Sequence, residues 1–179
     1  MLRKIKTFIF SLLAPSLRFA VVDLKLKLLG QDNRYYSQFG EDVVLASIFG
    51  KQSKGFYVDV GAHHPTRYSN THLLNKRGWR GINIDANPYS IKLFQRDRPK
   101  DINIVSGVAE KEGTMTYWMF SDPAVNSFSE NDAQRWLGKS WIKLLKKEQV
   151  KVAPLKYILQ KYLPSDTEID LLTIDTEGL

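Results

Sequence analysis

The sequence predicts an α/β fold built on a parallel sheet. Three observations carry that prediction. Short apolar runs at Phe56–Val60, Gly81–Asp85 and Ile169–Ile174 each end at or beside an acid. Segments with helical spacing separate the runs, and Gly or Pro marks most of the boundaries. Strands apolar enough to be covered on both faces, alternating with helices, are the signature of a parallel sheet rather than a sandwich.

The elements follow in chain order. The segment Ser37–Gly50 reads as a helix stopped by Gly50, and Lys51–Gly55 as a turn. Phe56–Val60 is the first strand and Gly61–Thr66 a loop. Ser69 or Asn70 caps a helix running to Lys76 and ending at Gly78. Gly81–Asp85 is the second strand; Asn87-Pro88 then opens a helix, Pro being favoured just inside a first turn, and Pro99 closes it. Ile102–Val108 reads as a third strand, and Thr114–Phe120, after the turn Glu110–Gly113, as its hairpin partner. Ser121–Asn131 is a polar loop. Asp132–Glu148 reads as one long helix with Trp136, Leu137, Trp141, Leu144 and Leu145 on its apolar side; the two tryptophans among lysines suit a membrane or sugar surface, but their helical spacing favours the core, where both are expected. A helix at Leu155–Tyr162 and the strand Ile169–Ile174, closing with Asp175, complete the pattern.

Residues 1–34 form a separate arm and linker, with the domain proper at 35–179. Residues 1–30 hold six basic residues (Arg3, Lys4, Lys6, Arg18, Lys25, Lys27) against the single acid Asp23. The rest of the chain carries twenty basic residues against eighteen acids, too even a balance for a body that grips nucleic acid. The longest uncharged run of the arm, Thr7–Leu17, contains Pro15 and is far short of the roughly 20 apolar residues a membrane span needs. Its basic start imitates a signal peptide, but Arg18 interrupts the run and no Ala-x-Ala pattern follows. Ile5, Phe8, Ile9, Leu12 and Leu13 fall at helical intervals beside Lys4 and Lys6, an amphipathic helix that suits the surface of an anionic membrane or packing on its own domain or a partner. The complete lack of cysteine excludes disulfides and thiolate chemistry and favours a reducing, cytoplasmic setting, with peripheral membrane contact through residues 1–30 as the one addition.

In open parallel sheets ligands bind beyond the C-terminal ends of the strands. Three such ends are polar: Asp59-Val60-Gly61, Asp85-Ala86-Asn87 and Asp175-Thr176-Glu177-Gly178. Asp85 follows Gly61 by 24 residues, close to the interval of about 20 that separates a glycine turn from a ribose-binding acid, because strand, loop, helix and strand consume that much chain. A carboxylate at that point can accept both hydrogen bonds of a ribose diol, and a glycine lets a ligand approach the backbone. The alternative is that Asp59 and Asp85 merely cap strand ends. The bend, Gly61-Ala62-His63-His64-Pro65-Thr66, has one glycine where a dinucleotide turn has three. A ribose-bearing ligand without a pyrophosphate fits it better, and S-adenosylmethionine is the common one. A nicotinamide-dependent oxidoreductase is the competing enzyme reading. His63, His64 and His72 lack the spacing of a metal site, and a loop role is preferred for them.

Four segments together resemble the FkbM-type methyltransferases. They are Tyr36–Asp42 (YSQFGED), Gly55–Ala62 (GFYVDVGA), Gly78–Pro88 (GWRGINIDANP) and Asp170–Gly178 (DLLTIDTEG), in order and at matching intervals from about residue 35 to the end. The resemblance implies a Rossmann-like S-adenosylmethionine-dependent enzyme that O-methylates a sugar, glycan or natural product. It further implies that Asp59, Gly61 and Ala62 shape the turn around the methionine part of the cofactor. Asp85, with Ala86 and Asn87, holds the ribose; Gly107, Val108 and Ala109 line the adenine; Gln38 and Glu41 close over the cofactor. Asp175, Glu177 and His64 are the implied candidates for proton removal, and no metal is needed. The family sheet has seven strands ordered 3-2-1-4-5-7-6, so the chain is expected to supply 3-2-1-4 and to be truncated after the fourth strand. An inactive methyltransferase-like fragment is therefore the non-enzymatic alternative.

Overall fold

The structure, a computed structural model, describes residues 35–176. The expected amphipathic helix of the arm lies outside the described residues, as does Glu177.

Helix α1 (Glu41–Ile48) starts later than its pattern suggests. Ser37 and Asp42 lock the preceding turn: the Ser37 hydroxyl donates to Asp42 (2.7 Å) while its oxygen accepts from the amides of Gly40 and Asp42. Strand β1 (Phe56–Val60) and strand β2 (Arg80–Asp85) flank helix α2 (His72–Lys76). The cap of α2 falls on Thr71 rather than on Ser69 or Asn70, whose side chains are engaged elsewhere. Helix α3 (Pro88–Asp97) is capped by Asn87, whose side chain accepts from the Tyr89 amide, and leads to strand β3 (Ile102–Val105).

The expected third strand splits at Ser106. The Ser106 amide donates to the Asp85 carbonyl (3.0 Å), and the chain then leaves the sheet. Strand β4 (Gly107–Val108) belongs to a second sheet with strand β5 (Gly113–Phe120) and strand β6 (Leu144–Ala153), in the order β4-β6-β5. The partner of β5 is therefore β6, antiparallel from Gly113 opposite Val152 to Phe120 opposite Leu144, and not the third strand.

The long helix expected at Asp132–Glu148 is also corrected. Helix α4 (Glu130–Leu137) takes only its first half, capped by Ser129 and ended at Gly138. Beyond the turn, β5 offers a complete row of backbone partners, and the alternation of Val150 and Val152 with Gln149 and Lys151 satisfies a pleated strand as well as the leucines satisfy a helix. As a consequence Trp141 is exposed rather than in the core. Helix α5 (Leu155–Tyr162) and strand β7 (Leu171–Ile174) follow as expected.

The main sheet is wholly parallel, ordered β3-β2-β1-β7, with β7 at the edge of the described sheet. One face buries Val58, Val60, Ile82, Ile84 and Ile104 against Ile158 of α5. The opposite face is mixed: Tyr57 packs with Leu74 and Trp79, while Thr173, Asp59, Asn83 and Asn103 form a polar row across all four strands. The second sheet packs one face against Ala86 and Tyr89, immediately beyond β2. No helix among the described residues is long and apolar enough to cross a membrane.

Candidate functional site

The site begins where β1 and β2 end side by side. Gly61 turns the chain with a φ of 76°, and the amides of Gly61 and Ala62 both donate to the Ile84 carbonyl (2.9 and 3.1 Å). A Cβ on Gly61 would stand 2.0 Å from the carbonyl oxygen of Asp175, so only glycine permits this bend to lie against the end of β7.

Asp85 joins the two strand ends. One carboxylate oxygen accepts from the His63 amide in the loop after β1, the other from the Asn87 amide ahead of α3, both at 2.7 Å. The acid thus faces the glycine bend, as the spacing requires. It is 8% exposed. Burial pushes it up to about 6, partly offset by those two amides. Ala86 packs with Tyr117, Met119 and Val150, making an apolar wall beside Asp85. Burial, and then the charge of Asp85, pushes the Tyr117 phenol up.

Asp59 lies deeper. Burial pushes it up to about 6 despite a hydrogen bond from the Thr71 hydroxyl (2.7 Å) and the nearby charge of Arg98; Asp175 raises it further. The opening of β7 toward solvent leaves Asp175 exposed, while its amide donates to Val60 (2.9 Å).

The two adjacent histidines have opposite fates. His64 is 2% exposed, and its Nδ1 accepts from the amides of Thr66 (3.1 Å) and Arg67 (3.0 Å), which places the ring proton on Nε2. Burial, then the His63 and Arg67 charges, pulls it down to about 3, so the group is neutral and organises the loop. His63 is only half-buried and lies within the electrostatic reach of Asp122; burial pulls it to about 4. His72 donates from Nδ1 to the Pro65 carbonyl (2.9 Å). Among the described residues no group of three or more potential ligands is gathered for a metal ion.

The remaining candidates divide. Gly107 stands at the back of the apolar wall, where a Cβ would meet Phe128 and Val152 at 2.7 Å; Val108 packs on the main core, and the Ala109 amide donates to Ala153. Gln38 and Glu41 are set at the start of α1, where Glu41 accepts from the Phe39 amide (2.9 Å). Their segment is tied to the α2 side of the fold, since the Ser69 amide donates to Tyr36 and the Tyr36 ring meets His72 edge-on.

Arg98 and Tyr117 join the site only through folding. Arg98 follows α3, is 3% exposed, and donates to Tyr57 Oη (3.2 Å), Thr71 Oγ1 (2.8 Å), Ser69 Oγ (2.9 Å) and the Pro65 carbonyl. It therefore anchors the loop between β1 and α2, and through Thr71 it fixes Asp59. No local motif signals such a residue, because its partners are assembled only by folding. The Met115, Tyr117, Met119 alternation, by contrast, marks an apolar strand face that the sequence does display.

Residues 59–179, about two thirds of the chain, match the family model described as the Methyltransferase FkbM domain. No curated protein and no solved structure gives a significant match.

Proposed function

The chain belongs to the FkbM methyltransferase domain family, which points to methyl transfer as its class of activity, and we propose that it uses S-adenosylmethionine to methylate a hydroxyl oxygen of a sugar, glycan or natural product. The observation that carries this reading is the Asp85 carboxylate bridging the glycine bend after β1 and the start of α3. Each of its oxygens accepts one amide hydrogen and keeps a second lone pair for a ribose hydroxyl. The fit extends to Gly61, whose bend sets the loop after β1 close against the end of β7 and so brings Asp85 and Asp175 to one edge of the sheet, and to the Ala86, Tyr117 and Met119 wall, which suits an aromatic base.

When bound, S-adenosylmethionine supplies a methyl carbon already activated by its sulfonium. The chain then has three tasks: hold the nucleoside, exclude water, and take a proton from the acceptor. Asp85 performs the first with the glycine bend. The second sheet, packed over the end of β2, contributes to the second. Asp175, exposed at the end of β7, is the proton acceptor we assign; His64 has its Nδ1 lone pair committed to two amides and supports the loop instead.

Calorimetric titration with S-adenosylhomocysteine tests the reading. The chain is expected to bind it, and Asp85→Asn to weaken that binding by about 1–3 kcal/mol, the value of a charged hydrogen-bond acceptor. Binding of NAD with no response to S-adenosylhomocysteine would overturn the proposal in favour of an oxidoreductase.

A further inference from the structure

The second sheet has a face that methyl transfer does not use. Pairing places Thr114 opposite Lys151, Thr116 opposite Gln149 and Trp118 opposite Lys147, so these six side chains share one side of the sheet. Lys147 stands over the Trp118 ring, its Nζ 3.5 Å from the centroid. Trp118 clusters with Phe120, Ala133 and Ile142; Trp136 packs against that cluster, and its ring meets Trp141 edge-on at 5.8 Å. The cluster therefore links the lysine row to the turn after α4. On that turn Trp141 is 62% exposed and Leu137 41%, with Lys139 and Lys143 beside them, both exposed.

The charge is mostly of one sign, although Asp122 follows the Ser121 that pairs with Lys143. Glu148 pairs with Lys146 (2.6 Å) on the opposite face of the sheet. Asp132 is matched by Arg135 (2.9 Å), and Glu130 and Asp132 occupy the first turn of α4, about 10 Å and about 7 Å along the helix from Leu137. An exposed tryptophan and leucine ringed by unopposed lysines combine two attractions: an aromatic–aliphatic tip that partitions into the headgroup boundary, and cations that draw it to negative lipids. Leu137 gives a saccharide nothing to hold, which favours lipid over an anionic glycan.

We propose that this face, centred on Leu137, Lys139, Trp141 and Lys143, docks the protein on an anionic phospholipid surface. The contact is independent of the basic arm and of the proposed chemistry.

Vesicle flotation of the full chain tests it, with phosphatidylcholine vesicles prepared with and without phosphatidylglycerol. The protein should float with the anionic vesicles, remain behind with the neutral ones, and be released by salt. The pair Leu137→Ser with Trp141→Ser, and separately Lys139→Glu with Lys143→Glu, should each lower the bound fraction roughly tenfold. All four residues are exposed, so the melting temperature should hold, and the lysine pair stands as an independent variant if loss of the Trp141–Trp136 contact perturbs folding. The arm is intact in every variant, so undiminished flotation would assign lipid contact to the arm and overturn the proposal. Equal binding to neutral vesicles would overturn it too, as would retention on a heparin column without vesicle binding.

Discussion

The two sheets solve opposite problems. The parallel sheet buries charge: Asp59, Asp85 and Asp101 are all buried around it, and Arg98 is sunk among hydroxyls and a carbonyl above it. The second, mixed sheet sorts its residues by side, with Tyr117, Met119 and Val150 inward and Lys147, Gln149 and Lys151 outward. Buried polar groups are costly unless each is satisfied, so the first sheet is brittle where it carries the candidate site. The second tolerates change on one face and supplies a wall with the other.

Glycine substitutions sharpen that contrast most. At Gly61 an added methyl group combines a left-handed backbone with a 2.0 Å approach to the Asp175 carbonyl, an atom that moves only with its strand. Gly61→Ala should cost more than about 3 kcal/mol in denaturant unfolding, since both positive-φ strain and a backbone clash contribute. Gly113, at the start of β5, has nothing within 4 Å of the corresponding position. Gly113→Ala should stay within about 1 kcal/mol of the parent, in the stabilising direction, because it chiefly restricts the unfolded chain. Equal losses at the two positions would break the comparison.

Arginines give the next largest difference. Arg98→Met removes the donor to four oxygens and leaves buried acceptors facing an apolar side chain, which should cost about 3 kcal/mol. Arg135→Met removes a single ion pair on an exposed helix and should change stability by no more than about 0.5 kcal/mol. Chemical denaturation of both variants under one set of conditions measures the gap.

The same division explains what the sequence reveals. The first strand is observed from Phe56 to Val60, as its apolar run predicts, and α3 opens at Asn87-Pro88 because cap and proline are local signals. Asp85 meets the Gly61 bend because the chain length between them is fixed by the strand, loop and helix it must build. The second sheet was hidden. Lys139, Lys143, Lys146 and Lys147 among Trp141, Leu144 and Leu145 match a helical period, and only the distant β5 converts the second half of that segment into a strand. Arg98 was equally hidden, since Ser69, Thr71 and Tyr57 reach it from some thirty to forty residues earlier in the chain. Local chemistry is legible, whereas a residue defined by a distant partner is not.

Acidification provides the last and smallest contrast, confined to the parallel-sheet half. Burial pulls His63 and His72 down to about 4 and His64 to about 3 from an ordinary 6.5. Between those values and 6.5 the unfolded chain binds more protons, so each histidine removes stability as pH falls through that window. Asp59 and Asp85, raised to about 6 from 3.8, act in the other direction: the folded chain holds more protons between about 4 and 6, and each acid adds stability as pH falls. Asp101, which burial also raises, acts with them. The three histidines with the larger displacements still outweigh the acids, and unfolding free energy should fall by on the order of 2 kcal/mol from pH 7 to pH 5. In Asp85→Asn the drop should deepen by about 1 kcal/mol, because one of the opposing gains is gone. A parent protein that becomes more stable at pH 5 would show instead that the buried carboxylates, and not the histidine loop, govern this half of the molecule.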